Sequence, residues 1–331
     1  MHCLVHIGSN KTGSSSIQAL LARHKRLLVR AGILYPLVGR KYAVTYRRHL
    51  GLSFAADPGG EYAQRIADRF GEPHSALTHR RHDFEAALAV EIAGCDARLA
   101  IFSDEGLFKY ANPALAAGCI DLLASHFDSI EVMAYVRAPD RYCESTYVQA
   151  VKTGATLSLD EYVGHFIATQ RGYAATLDVW ADVVGPGNVR VVPFPETGDV
   201  VADFLSRVGM DASRTVSPRV NSSPDWTASE ALRLINLAYQ KTGSASPSWF
   251  RQEVERRYAG GSPPRLTATQ RQAVRDAFRN DHQRLVDRYF GGDASQIYTL
   301  PRTVHETDPE PPVQDAARAI AEELMAIHRA I

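Results

Sequence analysis

The N-terminal stretch Met1-His-Cys-Leu-Val-His-Ile-Gly-Ser-Asn-Lys-Thr-Gly-Ser-Ser-Ser-Ile-Gln18 constrains the rest of the chain. Cys3 to Ile7 is an apolar run of strand length, Gly8 to Gly13 reads as a tight loop, and a helix starts at Ser14. A strand, a glycine-bounded loop and a helix N-terminus together make a backbone cradle for phosphate. The free N–H groups of the first helical turn point at the anion, and the helix dipole favours negative charge there. Lys11 adds a mobile charge, and Thr12, Ser14, Ser15 and Ser16 add hydroxyl donors. The triphosphatase pattern needs Lys-Ser/Thr directly after the second glycine, whereas here the lysine sits two residues before Gly13. The same stretch also suits a plain link between strand and helix.

Further along, strands and helices alternate. Ile17, Leu20, Leu21, Leu27, Leu28 and Ala31 share one face of a helix stopped by Gly32. Arg98 to Glu105 reads as a buried strand closed by two carboxylates, and Ile130 to Val136 as another closed by Arg137-Ala-Pro139. Asn188 to Phe194 is a further strand, whose Pro193 and Pro195 suit an early end or an edge. Such alternation indicates right-handed βαβ units and a parallel sheet, with ligands beyond the carboxyl ends of the strands. Residues 36–95 read as a helical insertion, basic and aromatic from Arg40 to His49. Residues 225–331 read as a helical C-terminal extension, with one long helix over about 267–290 and a linker over 300–312. The last helix, about 313–329, has an apolar face that fits its own fold or a second copy, so a homodimer stays open.

Two motifs together carry a family resemblance. Lys11-Thr-Gly-Ser-Ser-Ser16 resembles the Lys-x-Gly-Thr/Ser-Thr/Ser loop of the sulfotransferases, which holds the 5′-phosphosulfate of 3′-phosphoadenosine 5′-phosphosulfate (PAPS). Arg137, at a strand end, and Ser145, eight residues later, resemble the pair that binds the cofactor's 3′-phosphate in that family. A guanidinium and a hydroxyl suit a phosphate chemically. The resemblance implies an α/β fold similar to P-loop triphosphatases: three layers, with a central parallel sheet flanked by helices, over one domain spanning 1–331. It implies sulfuryl transfer from PAPS to an acceptor hydroxyl, with the bisphosphate PAP as product and no metal. Bacterial-type members point to a glycan or glycolipid acceptor.

In that chemistry Lys11 stabilises the leaving oxygen and a base takes the acceptor proton. Members of the family use Glu or His, so Glu105 is the first candidate and His49 the second. Asp104 is expected to face away from Glu105 if strand alternation persists. Arg256-Arg-Tyr-Ala-Gly-Gly261 is the local candidate for a basic loop over the 3′-phosphate. Two other readings remain open, a P-loop kinase-like phosphotransferase and a non-catalytic adenosine-bisphosphate binder.

Composition narrows the rest. Lys and Arg number 37 and Asp and Glu 37, so the chain carries no general basic signal for nucleic acid. No run of apolar residues is long enough for a membrane span. Cys3, Cys95, Cys119 and Cys143 are too scattered for a zinc or redox framework. The cradle begins within ten residues of Met1, where a cleaved leader would remove it, so the expectation is a cytoplasmic protein.

Overall fold

The computed structural model describes residues 1–40, 47–74, 80–195, 199–211, 224–258, 262–298 and 312–330. Five strands form one sheet: β1 (His2–Gly8), β2 (Ile33–Leu34), β3 (Leu99–Ser103), β4 (Ser129–Val136) and β5 (Val189–Pro193). Their order is β2-β3-β1-β4-β5, and every pairing is parallel. A parallel sheet needs both faces covered, which is why β1 and β3 read as continuous apolar runs rather than alternating ones.

Helices supply that cover. On one face Leu4, Ile101, Met133 and Tyr135 pack against Ile17, Leu20 and Leu21 of the helix Ser14–Arg23 and against Phe204 and Leu205. Phe102, one residue on from Ile101, points the other way. Its ring meets Phe84 at 6.2 Å and Phe127 at 6.1 Å. Ile17, Leu20 and Leu21 are fully buried, worth about 1.5–3 kcal/mol each. The result is the expected three-layer α/β architecture. β5 lies at one edge, where its terminal proline costs no ladder bond. The two-residue β2 lies at the other.

The chain divides into two compact units. The first comprises Met1–Arg137, Arg171–Pro218 and Asp281–Tyr298, and holds the sheet. The second comprises Ala138–Gln170, Arg219–Asn280 and Thr299–Ile331. In the second, Tyr147, Val151, Ala228, Leu232, Ile235, Phe250 and Val254 form a core with Ala317, Ala321 and Leu324 of the last helix, Gln314–Ala330. The apolar face of that helix is therefore used within its own unit. Charge is buried there too. Asp140 accepts from Arg275 Nη2 at 2.8 Å, and Glu144 accepts from the backbone N–H of Leu266 at 3.0 Å and from Arg271 Nη2 at 3.3 Å.

Two long helices expected from periodicity are broken. The first helix ends at Arg23 and resumes at Lys25, because His24 leaves helical geometry at φ −102° and ψ 36°. The helix expected over about 267–290 is two, Ala268–Ala277 and Arg279–Tyr289. The break falls beside the boundary between the units, so periodicity ran on where the chain changes units. The expected linker lies almost wholly outside the described residues.

Candidate active site

The sheet order reverses around β1, which has β3 on one side and β4 on the other. Chain ends following these three strands therefore meet at one end of the sheet, where open α/β sheets bind ligands. They carry the loop from Gly8 to Gly13, the pair Asp104-Glu105, and Arg137.

The loop is tied down from inside. The Ser9 N–H and Ser9 Oγ both donate to the Tyr135 carbonyl, at 3.0 and 2.9 Å. Thr12 Oγ1 donates to the Ser9 carbonyl at 2.6 Å, and Ser14 Oγ reaches the same oxygen at 3.3 Å. Thr12 and Ser14 are thus buried loop braces, whereas Lys11 and Ser15 are exposed and Ser16 is half-buried. Lys11 holds a left-handed backbone (φ 62°), a conformation costing a non-glycine residue roughly 1–2 kcal/mol. Gly13 sits at φ 79° and caps the helix Ser14–Arg23. A Cβ there would stand 2.4 Å from Val200 Cγ1, so glycine is required both by conformation and by space. The N–H groups of Ser16 and Ile17 turn back to the Gly13 carbonyl, at 2.9 and 3.1 Å. Those of Ser14 and Ser15 come first in the helix, where no intrahelical carbonyl serves them.

Glu105 stands against this loop. A Cβ on Gly8 would lie 3.1 Å from Glu105 Cβ. One carboxylate oxygen accepts from Gln18 Nε2 at 2.9 Å, and the other accepts from Arg48 Nη1. Arg48 also places its Nε 3.3 Å from Asp104 Oδ1 and donates from Nη2 to the Tyr62 hydroxyl at 2.8 Å. That hydroxyl donates to Asp104 Oδ2 at 2.8 Å, and the Gly106 N–H donates to Oδ1 at 3.2 Å. Gly106 makes room for this: a Cβ there would meet the Tyr62 hydroxyl at 1.8 Å. Asp104 does not face away from Glu105, as strand alternation suggested. The strand ends at Ser103, and beyond it both carboxylates turn to one guanidinium. Burial pushes the Asp104 carboxyl up to about 6, opposed by Arg48 and aided by the like charge of Glu105. For Arg48, burial works against the charged form but Asp104, Tyr62 and Glu105 outweigh it, so its pKa rises.

Behind Glu105 the polar chain continues inward. Gln18 Nε2 also donates to Ser103 Oγ at 3.2 Å, and Ser103 Oγ lies 2.8 Å from His6 Nδ1. Burial holds the His6 imidazole down to about 4, so it stays neutral at pH 7.

His49, the second base candidate, is turned into the core and fully buried. Its Nε2 donates to the Pro36 carbonyl at 3.0 Å, and its Nδ1 accepts the Ser103 N–H at 3.0 Å. Rings of Tyr35 and Phe102 stand edge-on at 4.7 and 5.0 Å. Burial, then the charge of Arg40, drop its pKa to about 3. Both ring nitrogens are occupied by backbone, so His49 has no lone pair or proton to offer a substrate. Arg40 is buried as well, 4.9 Å from the Tyr35 ring centre. Arg40 and His49 thus serve the core while Arg48 between them in the stretch serves the carboxylates, and Lys41 to Tyr46 lie outside the described residues.

Arg137 is half-buried at the end of β4. Its guanidinium carbon stands 4.9 Å from the Phe194 ring centre, and its N–H donates to the Tyr173 hydroxyl at 3.4 Å. Tyr173 also bonds Ser9, so this tyrosine links the loop to the end of β4. Ser145 lies in the second unit, half-buried in the helix Pro139–Lys152. Arg256 and Arg257, the candidate basic loop, both close on Glu253, at 2.6 and 2.5 Å. Ala259 to Gly261 and the stretch Arg219 to Ser223 lie outside the described residues. Among the described residues no group of three or more His, Cys, Asp or Glu could hold a metal, and no helix is long and apolar enough to cross a membrane.

Arg48, Gln18, Tyr62 and Tyr173 are the site residues that sequence reasoning missed. Arg48 had a signal, since it belongs to the basic cluster beside His49, but which of the neighbours faced the site was a matter of tertiary packing. Gln18 is the one polar residue among the buried positions of its helix beyond the first turn.

No protein-family profile matches the chain. A protein of Archaeoglobus fulgidus, described as uncharacterized, is 24% identical over 170 residues, 49% of this chain and 46% of that protein. The match thus spans about half the length of either. Among solved structures the chain is similar to a sulfotransferase from Alicyclobacillus acidocaldarius, with a TM-score of 0.41 and 18% identity, over 75% of this chain and 98% of that one. At that score the likeness decides neither fold nor function. The fold rests on the sheet itself, and the function on the chemistry of the site.

Proposed function

We propose that the chain is a sulfotransferase, moving a sulfuryl group from PAPS to an acceptor hydroxyl on a carbohydrate or glycolipid. The observation that carries this reading is the meeting of the braced loop, Glu105 and Arg137 at one end of the sheet. The residues Lys11 to Ser16 would hold the 5′-phosphosulfate. Arg137, with Ser145 at the matching spacing in sequence, would hold the 3′-phosphate. The acceptor class rests on the resemblance to bacterial-type members alone.

In the reaction the acceptor oxygen forms a bond to sulfur while the bridging S–O bond breaks. Its electron pair leaves with the 5′-phosphate of PAP. Lys11 and the first N–H groups of the helix Ser14–Arg23 face the charge that develops on that bridging oxygen. Glu105 takes the acceptor proton, since it is the carboxylate beside the loop and is partly open to solvent at 21% exposure. Alignment of donor and acceptor supplies the remainder.

The test pairs two measurements. Adenosine 3′,5′-bisphosphate is expected to raise the melting temperature more than ATP with magnesium does. Labelled sulfate from PAPS is expected to appear on a member of a glycan, glycolipid and phenol panel. Greater stabilisation by magnesium ATP would favour a phosphotransferase. Bisphosphate binding without transfer to any acceptor would leave a binding protein.

A further inference from the structure

Glu105 is not positioned by its own backbone alone. It follows β3 directly, and its side chain is fixed by two groups from elsewhere in the chain, Gln18 and Arg48. Arg48 is the more demanding of the two. Its three nitrogens face three different partners: Nη1 faces Glu105, Nε faces Asp104 and Nη2 faces the Tyr62 hydroxyl. A planar fork presents donors from three separate nitrogens in fixed directions, whereas an ammonium is a compact point charge whose donors rotate about one atom. Tyr62 is itself pinned, bonded to Asp104 and stacked on Tyr110 with ring centres 4.6 Å apart. The missing Cβ of Gly106 admits its hydroxyl.

The charge count makes the second half of the argument. One guanidinium is shared by two carboxylates, of which Asp104 is completely buried and Glu105 is not. When a base takes a proton, its cationic partner loses its counter-charge, which is costly where water is scarce. Here Asp104 remains to compensate Arg48 after Glu105 has been neutralised. We propose that Arg48 is the positioning residue of this site. It aims the Glu105 carboxylate at the loop, and Asp104 keeps it charge-balanced through the proton transfer. The inference rests on the reading of Glu105 as the base in sulfuryl transfer.

The experiment uses the whole protein, PAPS and an acceptor on which the wild type turns over. Arg48→Ala is expected to lower kcat about 10²-fold, the scale of a roughly 1 Å misplacement. The acceptor KM and the affinity for adenosine 3′,5′-bisphosphate should both stay within about threefold. Millimolar guanidinium is expected to restore at least part of kcat, and methylammonium is not. A purely structural role would lose bisphosphate affinity along with kcat and would show no such cation selectivity. Should Arg48→Ala not fold, Arg48→Lys keeps the charge beside Asp104 and loses the fork, and it is expected to show the same fall in kcat with KM retained. Unchanged kcat, parallel loss of bisphosphate affinity, or equal rescue by both cations overturns the inference alone. A wild type that binds the bisphosphate but transfers to no acceptor overturns the functional reading and this inference with it.

Discussion

Lowering the pH from 7 to 5 should destabilise this protein through its buried imidazoles, and His49 provides the cleanest test. Its folded pKa is about 3 against an ordinary value of 6.5. Between these values the unfolded chain binds the proton and the folded chain does not, so stability falls as pH falls. By pH 5 the loss relative to pH 7 is about 2 kcal/mol. His6, held down to about 4, adds a loss of similar size, about 2 kcal/mol. Asp104 works in the opposite direction: its folded pKa is raised to about 6, so the folded state binds the extra proton and offsets part of that loss over the same interval. The perturbation is His49→Gln, whose amide can still donate to the Pro36 carbonyl but leaves the Ser103 N–H without its acceptor. At pH 7 the variant should be less stable by about 1–3 kcal/mol, the cost of an unsatisfied buried donor. At pH 5 the gap to wild type should have narrowed by about 2 kcal/mol, because the variant has no imidazole to protonate. Urea unfolding of both proteins at pH 7, 6 and 5 reads this directly. Parallel curves, with a constant gap at all three values, would refute the assignment of His49 as a neutral core histidine.

Four further outcomes are expected. Glu105→Gln should lower turnover about 10²–10⁴-fold while adenosine 3′,5′-bisphosphate still binds, as measured by initial rates and calorimetry. Lys11→Met should cost about 10²–10³-fold in kcat with little change in acceptor KM if, as proposed, its charge serves the leaving oxygen. Gly13→Ala puts a Cβ 2.4 Å from Val200 Cγ1 at a left-handed residue, so melting temperature and bisphosphate affinity should fall together. Arg275→Met strands the buried Asp140, whose remaining cation, Arg271 Nη1, is 3.6 Å away. It should cost about 3–5 kcal/mol in urea unfolding, whereas an unchanged midpoint would make the pair energetically idle.

Much of this molecule was legible in its sequence. The apolar runs of β1, β3 and β4, the glycines of the first loop and the prolines of β5 follow rules of local chemistry, and these strands form within the stretches expected of them. The α/β class follows from their alternation. Local rules also put Glu105 and Arg137 at strand ends, and the parallel sheet then brought those ends together. They could not tell Arg48 from His49. The two are neighbours, both are basic, and only packing decides that the histidine fills a gap between Tyr35 and Phe102 while the arginine reaches two carboxylates. Alternation failed at Asp104 for a related reason: it holds only while the strand lasts, and this strand stops at Ser103. Periodicity likewise carried a helix through Phe278, because a change of compact unit leaves no mark on the apolar pattern. Local chemistry sets the kinds of element and the groups at their ends. Which polar side chains share a partner is settled in three dimensions, since it depends on contacts between residues far apart in the chain.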